Sequence, residues 1–179
     1  MMQPLQGSFV ALVTPMFSDG SLDYKSLHSL IEWHITSGTS GLVVVGTTGE
    51  SATVTVSEHL EIIEKAIQFA GGRIPVIAGT GANSTQEAIA LTQTAASLGA
   101  NFALIVTPYY NKPNQEGLFQ HYTKIADTVE IPQILYNVPS RTACDLHPIT
   151  VERLSEHPNI VGIKEAVSDS ERLNQLLSI

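Results

Sequence analysis

The sequence predicts an α/β protein built as a (β/α)8 TIM barrel, with this chain covering about the first six βα units. Three observations point there. Six short apolar runs recur with starts roughly 30 residues apart, the length of one βα unit. Helical patterns fill the gaps between them. Polar residues gather directly after the second, fourth, fifth and sixth runs, as they do around a barrel mouth. An open doubly wound sheet also alternates β and α, and its dinucleotide fingerprint follows the first strand. Thr14-Pro15-Met16-Phe17 stands at that place instead, and Gly79-Thr80-Gly81 after the third run is too short a match. A barrel of about 250 residues spends about 31 on each unit, so 179 residues hold six units rather than eight. The chain therefore reads as a single barrel domain, residues 1–179, that stops before strands seven and eight.

Phe9 to Val13 is the first strand. Leu27, Leu30, Ile31, His34 and Ile35 mark one apolar face of a helix that Gly38 should stop. Gly41 to Val45 follows as the second strand. Leu60, Ile63, Ala66, Ile67 and Ala70 line the next helix, which ends at Gly71-Gly72. Glu58, Glu61 and Glu64, three apart, form its solvated face. Pro75 to Ala78 is the third strand. Ser84-Thr85-Gln86-Glu87 is a capping box for a helix with Ala88, Leu91, Ala95 and Leu98 inward, stopped at Gly99. Phe102 to Val106 and Pro132 to Tyr136 are strands four and five. Ile160 to Ile163, entered through His157-Pro158-Asn159, reads as a fully buried sixth strand. Ser168 and Asp169 offer caps for a sixth helix.

Composition removes several function classes. Hydrophobic residues are 43% of the chain, enough for an ordinary globular core. The net charge of −8, with no run of Lys or Arg, argues against nucleic acid and anionic membrane as partners. No apolar stretch approaches the roughly 20 residues of a membrane span. Met1 to Gly7 has no basic stretch followed by an apolar one, so no signal peptide is expected. The single cysteine, Cys144, excludes an intrachain disulfide and fits a reducing cytoplasm. It sits after strand five without a base beside it and reads as structural. None of the six histidines forms a metal motif: His28 and His34 are six apart on one helix, and His147 and His157 flank prolines. No metal is expected.

The chemistry concentrates at four strand ends. Lys164 closes the sixth run, where burial without a partner penalises the ammonium and favours a free amine that can attack a ketone. The alternative is a lysine that snorkels to solvent past its strand. Gly46-Thr47-Thr48-Gly49-Glu50-Ser51 sets hydroxyls and close-approaching backbone N–H groups where a carboxylate can be held, or simply caps the next helix. Tyr109 and Tyr110, in Thr107-Pro108-Tyr109-Tyr110, are either packing or part of the site. Tyr136 can relay protons and Arg141 can clamp an anion, or they are a core tyrosine and a surface arginine. On one barrel rim, amine, phenol, hydroxyl and guanidinium make the set an imine-forming enzyme needs.

Four motifs in order and spacing carry a resemblance: Gly46-Thr47-Thr48-Gly49-Glu50-Ser51, Thr107-Pro108-Tyr109-Tyr110, Tyr136-Asn137-Val138-Pro139-Ser140-Arg141-Thr142 and Gly162-Ile163-Lys164-Glu165-Ala166. They resemble the dihydrodipicolinate synthase family of pyruvate-dependent class I aldolases along the whole chain. The resemblance implies condensation of pyruvate with L-aspartate-4-semialdehyde on the route to diaminopimelate and lysine. By it, Lys164 forms the pyruvyl Schiff base and no cofactor is required, because the iminium is the electron sink. Tyr136 is then the proton donor and acceptor, linked through Thr47 to Tyr110. Tyr110 reaches into a neighbouring subunit's site, which implies a homo-oligomer, a dimer or a dimer of dimers. Thr48 holds the pyruvate carboxylate through its backbone, and Arg141 binds the carboxylate of the semialdehyde. Ser51, Ala52, His59, Asn83, Glu87 and Tyr109 match an allosteric lysine cleft, from which Val56 departs by replacing a polar residue. The rival readings are another aldolase of the family, such as an N-acetylneuraminate lyase or sugar-acid aldolase, and a non-catalytic truncated barrel that only binds.

Overall fold

A computed structural model describes residues 5–179. The signal-peptide reading of Met1 to Gly7 lies, for its first four residues, outside the described residues. The element order is β1 (Phe9–Ala11), α1 (Tyr24–Thr36), β2 (Gly41–Val44), α2 (Val56–Ala70), β3 (Val76–Gly79), α3 (Thr85–Leu98) and β4 (Phe102–Val106). It continues with α4 (Gln115–Thr128), β5 (Gln133–Asn137), α5 (Pro139–Thr142), α6 (Pro148–Ser155), β6 (Ile160–Glu165) and α7 (Ser170–Leu177). All neighbouring strands pair in parallel, in the order β1-β2-β3-β4-β5-β6. Sequential parallel order with a helix after every strand is the first six units of a (β/α)8 barrel.

Three apolar clusters show the curl. Val43, Ile77, Phe102, Leu104, Ile134, Tyr136 and Val138 pack together on the inner face. Phe9 of β1 and Val161 of β6 both join that cluster, so the sheet bends its two edges round one interior. The other two clusters fill the space between the outer face and the helices, centred on Ile31, Ile63 and Val44 in the first half and on Ile105, Leu118 and Ile125 in the second. Strand side chains alternate between these layers, which is why the strands read as unbroken apolar runs. Gly79 and Gly81 serve this curl. A Cβ on Gly79 would come within 2.4 Å of the Val45 carbonyl oxygen, and one on Gly81 within 2.3 Å of the Val106 nitrogen.

Helix starts follow local chemistry, with one reversal. Asp23, Asn114 and Asp169 cap α1, α4 and α7 through side chains that accept from the backbone N–H three residues on. At the predicted capping box, Ser84 does accept from the Glu87 N–H, but the reciprocal bond does not form. Glu87 instead lies close enough to His59 on α2 to favour its proton. The reciprocal box is at Thr55, whose N–H donates to Glu58 Oε2 at 2.8 Å. Glu58 is thus a capping residue, not merely part of a solvated face.

The sixth strand also departs from expectation. Only Ile160 of β6 is buried, because β6 pairs with β5 on one side and forms an edge of the sheet on the other. Lys164 is accordingly only part-buried. The pairing of β5 with β6 contains a bulge: Gln133 faces Ile160 and Ile134 faces Gly162, leaving Val161 as the extra residue. Ile160 and Ile163 pack outward and Val161 inward, so the bulge resets the alternation before Lys164.

Candidate active site

Lys164 and Tyr136 are cross-strand partners on β6 and β5. Tyr136 belongs to the inner cluster, so both side chains face the barrel interior. The Lys164 Nζ lies over the Tyr136 ring, 4.2 Å from its centroid. Among the described residues the Lys164 side chain makes no ion pair and no hydrogen bond, so its nitrogen is not committed to a polar partner.

Thr47 shares with Tyr136 a cavity of ≈ 40 Å³ that Val45, Gly46, Ser51, His59, Gly79, Gly81, Leu104 and Val106 complete. Thr47 also lines a second cavity of ≈ 420 Å³, with Ser51, Ala52, Tyr109, Val138 and Arg141 around it. Both lie at the carboxyl ends of the strands, where barrels carry their chemistry. Lys164, Tyr136, Thr47 and Arg141 are therefore brought to one rim. A cavity of ≈ 480 Å³ at the opposite end, lined by Phe9, Ser40, Arg73, Pro75 and Phe102, holds no lysine, cysteine or tyrosine among the described residues. Its Arg73 is already paired with Glu32.

The loops that carry these residues are held by buried polar bonds. Thr14 Oγ1 donates to the Gly49 carbonyl at 2.7 Å and ties the loop after β1 to the Thr47 loop. Val45 enters that loop at φ 46°, a conformation that costs a β-branched residue about 1–3 kcal/mol. Arg141 sits in the single turn of α5, opened by Pro139 and closed by Ala143 at φ 54°. Thr107 Oγ1 donates to Thr142 Oγ1 at 3.2 Å and anchors that turn to the end of β4. Cys144 is buried beneath it, its thiol pushed up by burial and directed at the Pro113 carbonyl, as its structural reading expects.

Two predicted residues stand apart. Thr48 is exposed and lines neither of the two cavities. Tyr110, at φ 74°, is 88% exposed and lines neither of the cavities that Thr47 lines. The residues of the supposed lysine cleft do cluster. Asn83 Nδ2 donates to the Tyr109 carbonyl at 3.2 Å, and the Asn111 side chain donates back to the Asn83 carbonyl at 3.1 Å. His59 is buried with Nε2 2.7 Å from the Gly79 carbonyl oxygen, and burial holds its imidazole below the ordinary range. Ser51 lines both cavities, Ala52 the larger, and Glu87 begins α3 beside His59. Val56 is exposed at the start of α2.

Sequence reasoning missed a polar network behind Lys164. Asn137, Asp145, Glu165 and Arg172 are joined by hydrogen bonds of 2.8–3.1 Å. The available signal was positional: Asn137 and Glu165 each follow a candidate catalytic residue and so must face the other side of the sheet.

The sequence model of the dihydrodipicolinate synthetase family matches residues 4–179. The 4-hydroxy-tetrahydrodipicolinate synthase of Cellvibrio japonicus is 60% identical over 173 residues, which are 97% of this chain and 60% of that protein. The crystal structure of chloride-inhibited dihydrodipicolinate synthase from Acinetobacter baumannii complexed with pyruvate has a TM-score of 0.96 at 59% identity. That match covers 98% of this chain and 60% of the other. The synthase from Cyanidioschyzon merolae with lysine bound has a TM-score of 0.92 at 41% identity, over 96% of this chain and 59% of the other. The chain thus spans about 60% of the length of the relatives it matches. With six barrel units in order, an unpaired lysine against a tyrosine at the rim, and these likenesses along nearly its whole length, the chain belongs to the dihydrodipicolinate synthetase family.

Proposed function

We propose that the polypeptide containing this chain is a 4-hydroxy-tetrahydrodipicolinate synthase, which condenses pyruvate with L-aspartate-4-semialdehyde through a Schiff base. The observation that carries the reading is the unpaired Lys164 amine 4.2 Å from the Tyr136 ring, with Thr47 in the adjoining cavity. The Lys164 nitrogen adds to the pyruvate ketone, and loss of water leaves the iminium. Loss of a methyl proton gives the enamine, whose carbon attacks the aldehyde and forms the new C–C bond. Tyr136 moves the protons these steps require with Thr47 as its relay partner, a pairing that the cavity they share supports. The Thr48 backbone holds the pyruvate carboxylate. Arg141, exposed at the rim of the larger cavity, holds the carboxylate of the semialdehyde. The iminium serves as electron sink, so the mechanism calls for no cofactor and no metal.

In the same proposal, residues 1–179 are one part of a single barrel domain that two further strands complete, working in the cytoplasm. The exposed Tyr110 enters the site of a second copy in a homodimer or dimer of dimers. Lysine binds where Ser51, Ala52, His59, Asn83, Glu87 and Tyr109 gather. The lysine-bound relative supports this reading, while the exposed Val56 removes one polar contact and weakens binding.

The test is turnover by the purified natural polypeptide. Consumption of pyruvate with L-aspartate-4-semialdehyde, and little cleavage of N-acetylneuraminate, is the expected result. Efficient N-acetylneuraminate cleavage would move the enzyme to the rival aldolase class. Turnover unaffected by millimolar lysine would remove the allosteric assignment alone.

A further inference from the structure

Among the described residues the Lys164 amine has no polar partner that fixes its direction beyond the Tyr136 ring, yet a nucleophile must be held in one place. The residue after it is fixed on all sides. Glu165, its side chain 5% exposed, accepts from Arg172 Nε at 2.8 Å, from Asn137 Nδ2 at 3.1 Å and from its own loop through the Val167 N–H at 2.9 Å. Arg172 grips Asp145 with both terminal nitrogens at 2.8 and 3.1 Å and also donates to the Leu146 carbonyl. Asn137 closes the ring, donating to Asp145 at 2.9 Å and accepting from the Leu146 N–H at 2.9 Å.

The network thus joins the ends of β5 and β6, the loop that follows α5, and α7. Asn137 and Glu165 pair across the strands one step beyond Tyr136 and Lys164. Alternation puts this rung on the outer face and the lysine–tyrosine rung on the inner one. A strand whose outer rung is clamped cannot rotate its inner rung away. At the other end of β6 the Val161 bulge fixes the same alternation. The arrangement aims the amine without touching it. A carboxylate placed directly on Lys164 would orient it too, but would favour the ammonium over the nucleophile.

We propose that Glu165 and Arg172, with Asn137 and Asp145, are positioning residues that hold Lys164 for imine formation. The assignment rests on the Schiff-base reading of Lys164. The experiment times borohydride trapping of pyruvate in the natural polypeptide and in the variants Glu165→Gln, Arg172→Ala and Arg172→Lys. Arg153→Ala, which breaks only the surface pair with Glu116 and the contact with Phe119, is the control. The rate is expressed per trappable site, so that a misfolded fraction lowers the amplitude and not the rate. Glu165→Gln and Arg172→Ala should slow trapping by about tenfold or more, since small misplacements of a reacting group cost rates of that order. Arg172→Lys should recover part of the loss, and Arg153→Ala should match the wild type. Should Arg172→Ala not fold, the near-isosteric Glu165→Gln decides. A wild-type rate in Glu165→Gln, with only its melting temperature lowered, would overturn the positioning assignment while leaving the Schiff base intact. No adduct in the wild type would reject the Schiff-base reading and the positioning role with it.

Discussion

Tyr136 does two things at once: its ring packs in the inner cluster and lies against Lys164, and the residue lines the cavity it shares with Thr47. Phenylalanine keeps the ring and removes only the hydroxyl. Tyr136→Phe should therefore melt close to the wild type while losing about 100-fold or more in kcat, the scale of a lost proton relay. A kcat within a few-fold of wild type would make Tyr136 a packing residue. Arg141 separates differently, because it is exposed and its turn is held by Thr107 and Thr142 rather than by its own side chain. Arg141→Ala should lower kcat/KM for the semialdehyde by about 10- to 100-fold, the worth of a charged hydrogen-bonded pair. Pyruvate trapping on Lys164 should be unchanged. Equal loss of both steps would place Arg141 in the supporting structure of the site.

At the scale of elements, the packing of α4 on α3 carries a pH dependence. His121 on α4 is buried, its Nδ1 2.9 Å from Thr85 Oγ1, and its Nε2 has no partner among the described residues. Burial pushes its imidazole down to about 4. The unfolded chain takes up this proton near pH 6.5 and the folded one does not, so stability is complete above about pH 6.5 and falls on acidification. The urea midpoint should decrease between about pH 6.5 and about 4, and His121→Gln should flatten that slope. An identical slope in the variant would assign the dependence elsewhere. The capping box gives a second expectation: Thr55→Ala should cost about 0.5–2 kcal/mol in urea melts, and no measurable loss would mean that the Thr55–Glu58 bonds add nothing. Strand spacing, helix faces and stop signals were legible because they depend on residues within one turn or one strand. The burial of β6 was not, since an apolar run does not say whether a neighbouring strand covers it. The Val161 bulge was hidden for a related reason, as Ile160 to Ile163 is apolar toward both faces. Arg172 and Asp145 were hidden by distance, being 27 residues apart and joined only by the fold.

Across the whole molecule, the barrel has two edges and one inner face. Among the described residues β1 pairs only with β2 and β6 only with β5. Neither edge run contains a charge before Lys164, so little opposes pairing with another chain. Residues 1–179 expressed alone should therefore scatter light as associated species and show no synthase turnover. A monodisperse, fully active monomer would contradict that expectation. The sheet brings the amine, phenol and threonine to one rim, and the Arg141 guanidinium belongs to the larger cavity that Thr47 also lines. The nucleophile of the proposed reaction is Lys164. The measurement that tests it most directly is peptide mass mapping of the natural polypeptide after borohydride reduction in the presence of pyruvate. A single pyruvyl adduct on the peptide containing Lys164 is the expected result. An adduct on a different lysine, or none in a folded protein that turns over its substrates, would contradict it.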